Sequence, residues 1–209
     1  MLNMTIDYNK IMKDEFEKIK TQKQKPKLLL HCCCAPCSSS VIERLSELFD
    51  ISLYFFNPNI YPFDEYEKRQ NELLGFVEKL NKQNANNLSV IKSTYSPDQF
   101  AEIAKGFEME VEKGERCKRC YWLRLESAAT EAKLRGFDYF TTTLSVSPHK
   151  NSQWLNEIGL ELSKRYDIKF LFSDFKKENG YLRSLILSKE NNFYRQTYCG
   201  CIYSKKGSD

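Results

Sequence analysis

The run KLLLHCCCAPCS, residues 27–38, reads as a buried strand, a turn crowded with thiols and the opening of a helix. Residues 27–30 form a short apolar run ahead of His31. Ser38 or Ser39 supplies a cap for a helix whose Val41, Leu45 and Leu48 share one face. The alternation continues downstream. Residues 51–56 read as a second buried strand ended by Asn57, Pro58 and Asn59, 64–80 as a charged helix and 88–91 as a third strand. A short helix over 97–106 and a longer one over 116–135 lead to a strand over 137–143, rich in aromatic and β-branched residues. A helix over 151–166, a strand over 169–175 and a helix over 181–190 follow. Upstream, Tyr8, Met12, Phe16 and Ile19 line one face of a helix over 8–20, joined by a Gln/Lys/Pro connector. Strands alternating with helices imply an α/β fold, a mostly parallel sheet with helices on both faces. Ligands of such sheets sit beyond the carboxyl ends of the strands, where His31 to Cys37, Asn57 to Asn59 and Thr141 to Ser147 all fall. A cysteine-rich site is expected there. The expected division is 1–26 as N-terminal helix and connector, 27–204 as a single α/β domain and 205–209 as a flexible tail.

The chain has 209 residues, enough for one full domain, and its 41% hydrophobic and 29% charged residues are those of a folded globular protein. No apolar run approaches the roughly 20 residues of a membrane span, and no signal peptide is legible at the start, so a cytoplasmic address and no membrane partner are expected. The formal charge of +4 permits a nucleic-acid partner without demanding one. Positive charge crowds at Lys18, Lys20, Lys23, Lys25 and Lys27, and again at Arg116, Lys118, Arg119 and Arg124. Such runs either track phosphates or are plain solvated surface.

Eight cysteines stand in three separate groups: Cys32, Cys33, Cys34 and Cys37; Cys117 and Cys120; Cys199 and Cys201. In a reducing compartment they read as ligands or redox groups instead of a disulfide framework. In HCCCAPC, adjacent thiols in a turn can swing toward one centre, and Cys37 at a helix N-terminus is expected to have a depressed pKa, making it a ligand or nucleophile candidate. In ERCKRCYWLR, residues 115–124, a CxxC puts both sulfurs on one helical face, and the nearby arginines and lysine either offset a thiolate-bound cluster's charge or solvate the helix. A pair from the first group with this CxxC supplies four thiolates, the ligand set of either a structural zinc or a [4Fe-4S] cubane, and spacing does not choose between them. The extra thiols nearby favour redox work. In RQTYCGCIYS, residues 195–204, the CxC can close a small, strained and readily reducible disulfide or bind a second metal with Cys37, and Gly200 permits the tight turn either way.

The segments HCCCAPCS, FNPNIYP, ERCKRCYWLRL, FDYFTTTLSVSPHKN and YRQTYCGCIYS, in this order and spacing over residues 27–204, resemble the cobalamin-independent epoxyqueuosine reductase family of QueH type. The resemblance implies an oxidoreductase that removes the epoxide oxygen of epoxyqueuosine at the wobble position of tRNA, leaving an alkene and water. It implies a [4Fe-4S] cluster on Cys33, Cys34, Cys117 and Cys120, with Cys199 and Cys201 as a redox-active pair. Cys32 stands at a variable position of the family pattern. At Cys37 some members carry Asp, which suits a ligand for an additional mononuclear iron, shared with Cys199 and Cys201, more than an obligatory nucleophile. The implied partners are tRNA carrying epoxyqueuosine and an unidentified electron donor.

Reading a base in an anticodon loop calls for aromatic platforms and amide hydrogen bonds, for which Asn57, Asn59, Tyr61, Asn151, Tyr181 and Tyr198 are candidates. His31 is expected to be structural. Two rival functions are a zinc-stabilised tRNA-binding module, which leaves Cys37, Cys199 and Cys201 unexplained, and an iron-sulfur-dependent tRNA thiolase. The nucleotide-activating thiolases carry a glycine- and serine-rich phosphate loop after the first strand, where HCCCAPC stands here.

Overall fold

Leu28, Leu29 and Leu30 are completely buried because the strand they form, β1 (Lys27–His31), lies in the middle of a sheet covered on both faces. The computed structural model describes residues 6–84 and 87–205. Its sheet has five strands, β1 with β2 (Asp50–Phe55), β3 (Ser89–Lys92), β4 (Tyr139–Thr142) and β5 (Lys169–Phe170), in the order β3-β2-β1-β4-β5. All pairings are parallel; Leu28 stands opposite Ile51 on one side and Tyr139 on the other. The chain runs outward from β1 to β3 and returns across β1 to β4, so the strand order reverses between β1 and β4. In sheets of this kind that reversal opens a crevice at the carboxyl ends of the strands.

Side chains alternate between the faces of a strand, and each face has its own core. Leu28, Leu30 and Leu53 pack with Met12, Phe16 and Ile19 of α1 (Tyr8–Lys20), Leu45 of α2 (Ala35–Leu45) and Leu73 and Phe76 of α3 (Phe63–Asn84). Leu29 and Phe140 face the other way, onto Leu125, Ala128 and Ala132 of α5 (Glu115–Leu134) and Leu155 and Leu162 of α6 (Ser152–Tyr166). The remaining helices are α4 (Pro97–Ala104), α7 (Gly180–Glu190) and the short α8 (Ile202–Lys205). Helix α1 begins where Asp7 Oδ1 accepts from the amides of Asn9 and Lys10, each at 3.1 Å. Burying Met12 and Phe16 contributes about 1.5–3 kcal/mol each. Of the expected tail 205–209, Lys205 closes α8. Residues 206–209 lie outside the described residues, as do residues 1–5 of the N-terminal segment.

Of the boundaries that differ from the sequence reading, three have a local reason. Helix α2 starts at Ala35, with Cys34 as its N-cap. Ser38 and Ser39 do not cap it: their hydroxyls donate back to Cys34 O and Pro36 O, and Pro36 sits in the first turn, where its missing N–H costs nothing. Strand β4 ends at Thr142, whose hydroxyl accepts from Leu144 N and turns residues 143–146 into a 3-10 helix. Strand β5 stops after two residues because the chain beyond it takes side-chain partners, with Ser173 N donating to Asn156 Oδ1 at 2.9 Å.

Candidate metal and redox site

The turn after β1 is pinned before any thiol is placed. His31 is fully buried, with Nδ1 2.9 Å from Thr142 Oγ1 and Nε2 3.0 Å from Phe56 O, so it ties β1 to β4 and to the end of β2. Burial, aided by the positive charge of Arg124, lowers its pKa to about 3 and keeps it neutral. Asn57 completes the clamp: its amide donates to Cys32 O at 2.9 Å and accepts from Arg124 Nη2 at 2.6 Å.

The sulfurs of Cys33, Cys34 and Cys37 lie within 4.8 Å of one another, with 3.7 Å between Cys33 and Cys34. Hydrogen bonds from Cys34 and Cys37 hold the Cys33 thiol well below its ordinary value, with Arg124 and Arg69 adding attraction. The Cys37 pKa moves opposite to the expectation. Its thiol is raised, first by its hydrogen bonds to Cys33 and Cys34 and then by burial, so of the three it is Cys33 that takes the negative charge. Cys32 points away, to Tyr54 O at 3.4 Å, and packs in the core.

Cys117 and Cys120 lie a turn apart on α5 and are both buried. Cys117 accepts from Lys113 N at 3.3 Å and packs in the same apolar cluster that Cys33 borders. Cys120 packs against Cys201, Phe100 and Ala104, and burial pushes its thiol up to about 12. Neither joins the compact Cys33–Cys34–Cys37 group.

Cys199 and Cys201 arrive on a segment without regular structure whose residues 195–199 line the crevice of the site. Arg69, ion-paired with Glu65, donates to Cys199 O at 3.3 Å, Tyr61 N donates to Gly200 O at 2.8 Å, and Tyr198 Oη donates to Tyr61 O at 2.9 Å. Gly200 has φ 111°, and a Cβ there would meet Arg69 Nη1 at 2.9 Å, so only glycine fits between the two cysteines. All eight cysteines are free thiols, so the CxC disulfide anticipated from sequence is not formed here. The two sulfurs take different partners: Lys150 Nζ lies 2.8 Å from Cys199 Sγ, whereas Cys201 Sγ contacts Ser204 Oγ at 3.5 Å.

Cys33, Cys37 and Cys199 line one crevice of about 530 Å³ with Asn59, Arg124, Lys150, Tyr181, Gln196 and Tyr198. Asn59, Tyr181 and Tyr198 therefore stand where a ligand would meet them. Asn57 does not; it is buried and committed to Cys32 and Arg124. Asn151 caps α6 through Trp154 N, and Tyr61 lies outside this lining. Sequence reasoning missed Lys150, Arg69 and Gln196, whose amide donates to Cys34 Sγ at 3.4 Å. No local signal marked them, since each reaches its cysteine across the fold. Of the positive runs, Lys18 and Lys20 pair with Glu15 and Glu17 in solvent, and Arg116 donates to the carbonyls of Phe107, Glu108 and Glu110.

A parallel α/β sheet whose switch point opens onto a crevice lined by clustered thiols able to hold a metal ion defines the class of protein. The family model described as epoxyqueuosine reductase QueH matches residues 28–207, and the chain belongs to that family of oxidoreductases. The chain is 41% identical over 204 residues to the epoxyqueuosine reductase QueH of Streptococcus pyogenes serotype M1, covering 98% of this chain and 80% of that one. It is 40% identical to the Staphylococcus epidermidis protein of the same name, over 100% and 90% of the two chains, and 37% identical to the Thermotoga maritima one, over 85% and 89%. No helix among the described residues is long and apolar enough to cross a membrane.

Proposed function

We propose that this chain reduces epoxyqueuosine to queuosine at the wobble position of tRNA, with Cys33, Cys34, Cys117 and Cys120 as ligands of a [4Fe-4S] cluster and Cys199 and Cys201 as a dithiol pair. One observation carries the reading: Cys33 and Cys37 from the loop after β1 and Cys199 from the C-terminal segment line one crevice, with Cys117 in the apolar cluster that Cys33 borders and Cys120 packed with Cys201. The donor set fits a cubane. Thiolates are the ligands of iron-sulfur clusters, and four irons spread their ligands farther apart than one ion does, in keeping with Cys117 and Cys120 standing off from Cys33 and Cys34. Bound there, the cluster supplies electrons one at a time.

Deoxygenation breaks both C–O bonds of the epoxide, forms the C=C bond and releases the oxygen as water, consuming two electrons and two protons. Two thiols closing to a disulfide supply that sum: two S–H bonds break, one S–S bond forms, and the electron donor later restores the thiols. Gly200 gives the CxC its turn, and Lys150 holds Cys199 in place. His31 takes no part in proton transfer, because both ring nitrogens are engaged within the core. Tyr181 and Tyr198 at the crevice suit stacking on an unpaired base. Cys37 faces Cys33 and Cys34 and lines the same crevice as Cys199, which supports the second use of these thiols, as ligands of an additional mononuclear iron. The zinc module and the thiolase are not favoured, since the relatives are named as reductases. A cytoplasmic location accords with a tRNA substrate.

The test is anaerobic iron and sulfide analysis with an absorption spectrum, then turnover on tRNA bearing epoxyqueuosine with a chemical reductant. Iron with matching sulfide and formation of queuosine are expected; colourless protein containing zinc overturns the assignment. Cys37→Ala separates the two iron sites, removing iron in excess of sulfide while the cluster's absorption stays.

A further inference from the structure

A buried guanidinium requires compensation for the water it has lost, either from several hydrogen-bond acceptors, as three carbonyls supply for Arg116, or from an anion. Arg124, on α5 one turn beyond Cys120, is 2% exposed. Its hydrogen-bond partner at Nη2 is the neutral amide of Asn57, and its Nε is buried without any partner. Other cations around the site have acids: Arg69 pairs with Glu65, and Lys150 lies 3.6 Å from Glu112. Arg124 instead faces sulfur. It lines the crevice with Cys33 and Cys199, and its electrostatic partners are Cys120, Cys33 and Cys199.

We propose that Arg124 is the built-in counter-charge of the thiolate centre, raising the reduction potential of the cluster on Cys33, Cys34, Cys117 and Cys120 and orienting the thiol loop through Asn57; the inference rests on the ligand reading given above. A fixed positive charge stabilises the more negative, reduced state of a cluster, and net charge and hydrogen bonding are among the factors that set such potentials. The hydrogen-bond relay from Arg124 through Asn57 to Cys32 O makes the same residue a positioning element for the loop that carries two ligands.

The experiment compares wild type, Arg124→Gln and Arg124→Lys, each prepared anaerobically, by iron and sulfide content and by redox titration of the cluster followed by absorbance and electron paramagnetic resonance. Arg124→Gln is expected to retain iron and sulfide and to shift the midpoint potential to more negative values, with Arg124→Lys restoring it toward wild type. A loaded Arg124→Gln protein with the wild-type potential overturns the inference. If Arg124→Gln folds without iron, Arg124→Lys decides: loading at a near-wild-type potential upholds the charge role, whereas loss of iron there too makes the role steric and overturns it. Wild type lacking iron and sulfide overturns the ligand reading itself, and this inference falls with it.

Discussion

The loop that carries Cys33, Cys34 and Cys37 and the segment that carries Cys199 and Cys201 meet at one crevice, yet they are held by different means. The first is continuous with a central strand and a helix, and buried backbone and side-chain bonds from His31 and Asn57 fix it. The second has no strand or helix of its own before α8 and is tied down mostly through side chains: Tyr194 N and Oη to Glu72 and Glu65, Arg195 to Ser188, Arg69 to Cys199 O, Lys150 to Cys199 Sγ, Tyr198 Oη to Tyr61 O, Tyr61 N to Gly200 O and Gln196 to Cys34 Sγ. Local opening is cheapest where few buried bonds must break together. The arrangement thus puts two proposed cluster ligands on the side anchored by a central strand and the proposed dithiol on the side held without a backbone ladder.

The largest effects should separate the two sides outright. Cys117→Ala is expected to lose iron, sulfide, colour and essentially all turnover together, whereas Cys199→Ala keeps the spectrum and loses turnover; a colourless Cys199→Ala would mean that both sides hold one group. Asn57→Ala leaves Arg124 and Cys32 O without their partner, and it should lower global stability by about 1–3 kcal/mol in denaturant melts while reducing iron content. Gly200→Ala, at φ 111° and against Arg69, costs about 1–3 kcal/mol of the same order, but on the other side. Its signature should be faster hydrogen exchange and proteolysis over residues 191–201 and slower turnover, with iron content unchanged. An equal loss of iron in both variants would erase the distinction. The smallest effect is expected on the exposed surface outside the crevice lining: Arg183→Ala breaks the exposed pair with Glu43 and should move stability by no more than about 1 kcal/mol.

Much of the α/β alternation was legible because hydrophobic periodicity is local. Leu28 to Leu30 and residues 51–56 announced strands buried on both faces, and Met12, Phe16 and Ile19 announced a helix that joins the core. Boundaries were read less well where a side chain overrode the pattern, as Thr142 did for β4 and Asn156 for β5. Within the site, the three cysteine groups were plain in the sequence, but their electrostatics were not. Cys37 was expected to be the acidic thiol from its place at a helix N-terminus, and the two neighbouring sulfurs reverse that order. Asn57 read as a base-recognition residue and proves to be a brace for the thiol loop.

By itself the sequence determined the strand and helix alternation, the grouping of the thiols and, through five ordered motifs, the family. Only the tertiary structure decided that β1 and β4 would be neighbours, that Arg124 would be buried facing sulfur while Arg119 on the same helix stays half exposed, and that Lys150 would find Cys199. The reason is range. Periodicity and capping depend on residues a few positions apart, whereas burial, charge pairing and the convergence of ligands depend on segments far apart in the chain, 49 residues for Lys150 and Cys199 and 111 for His31 and Thr142, that become neighbours only when the sheet is assembled.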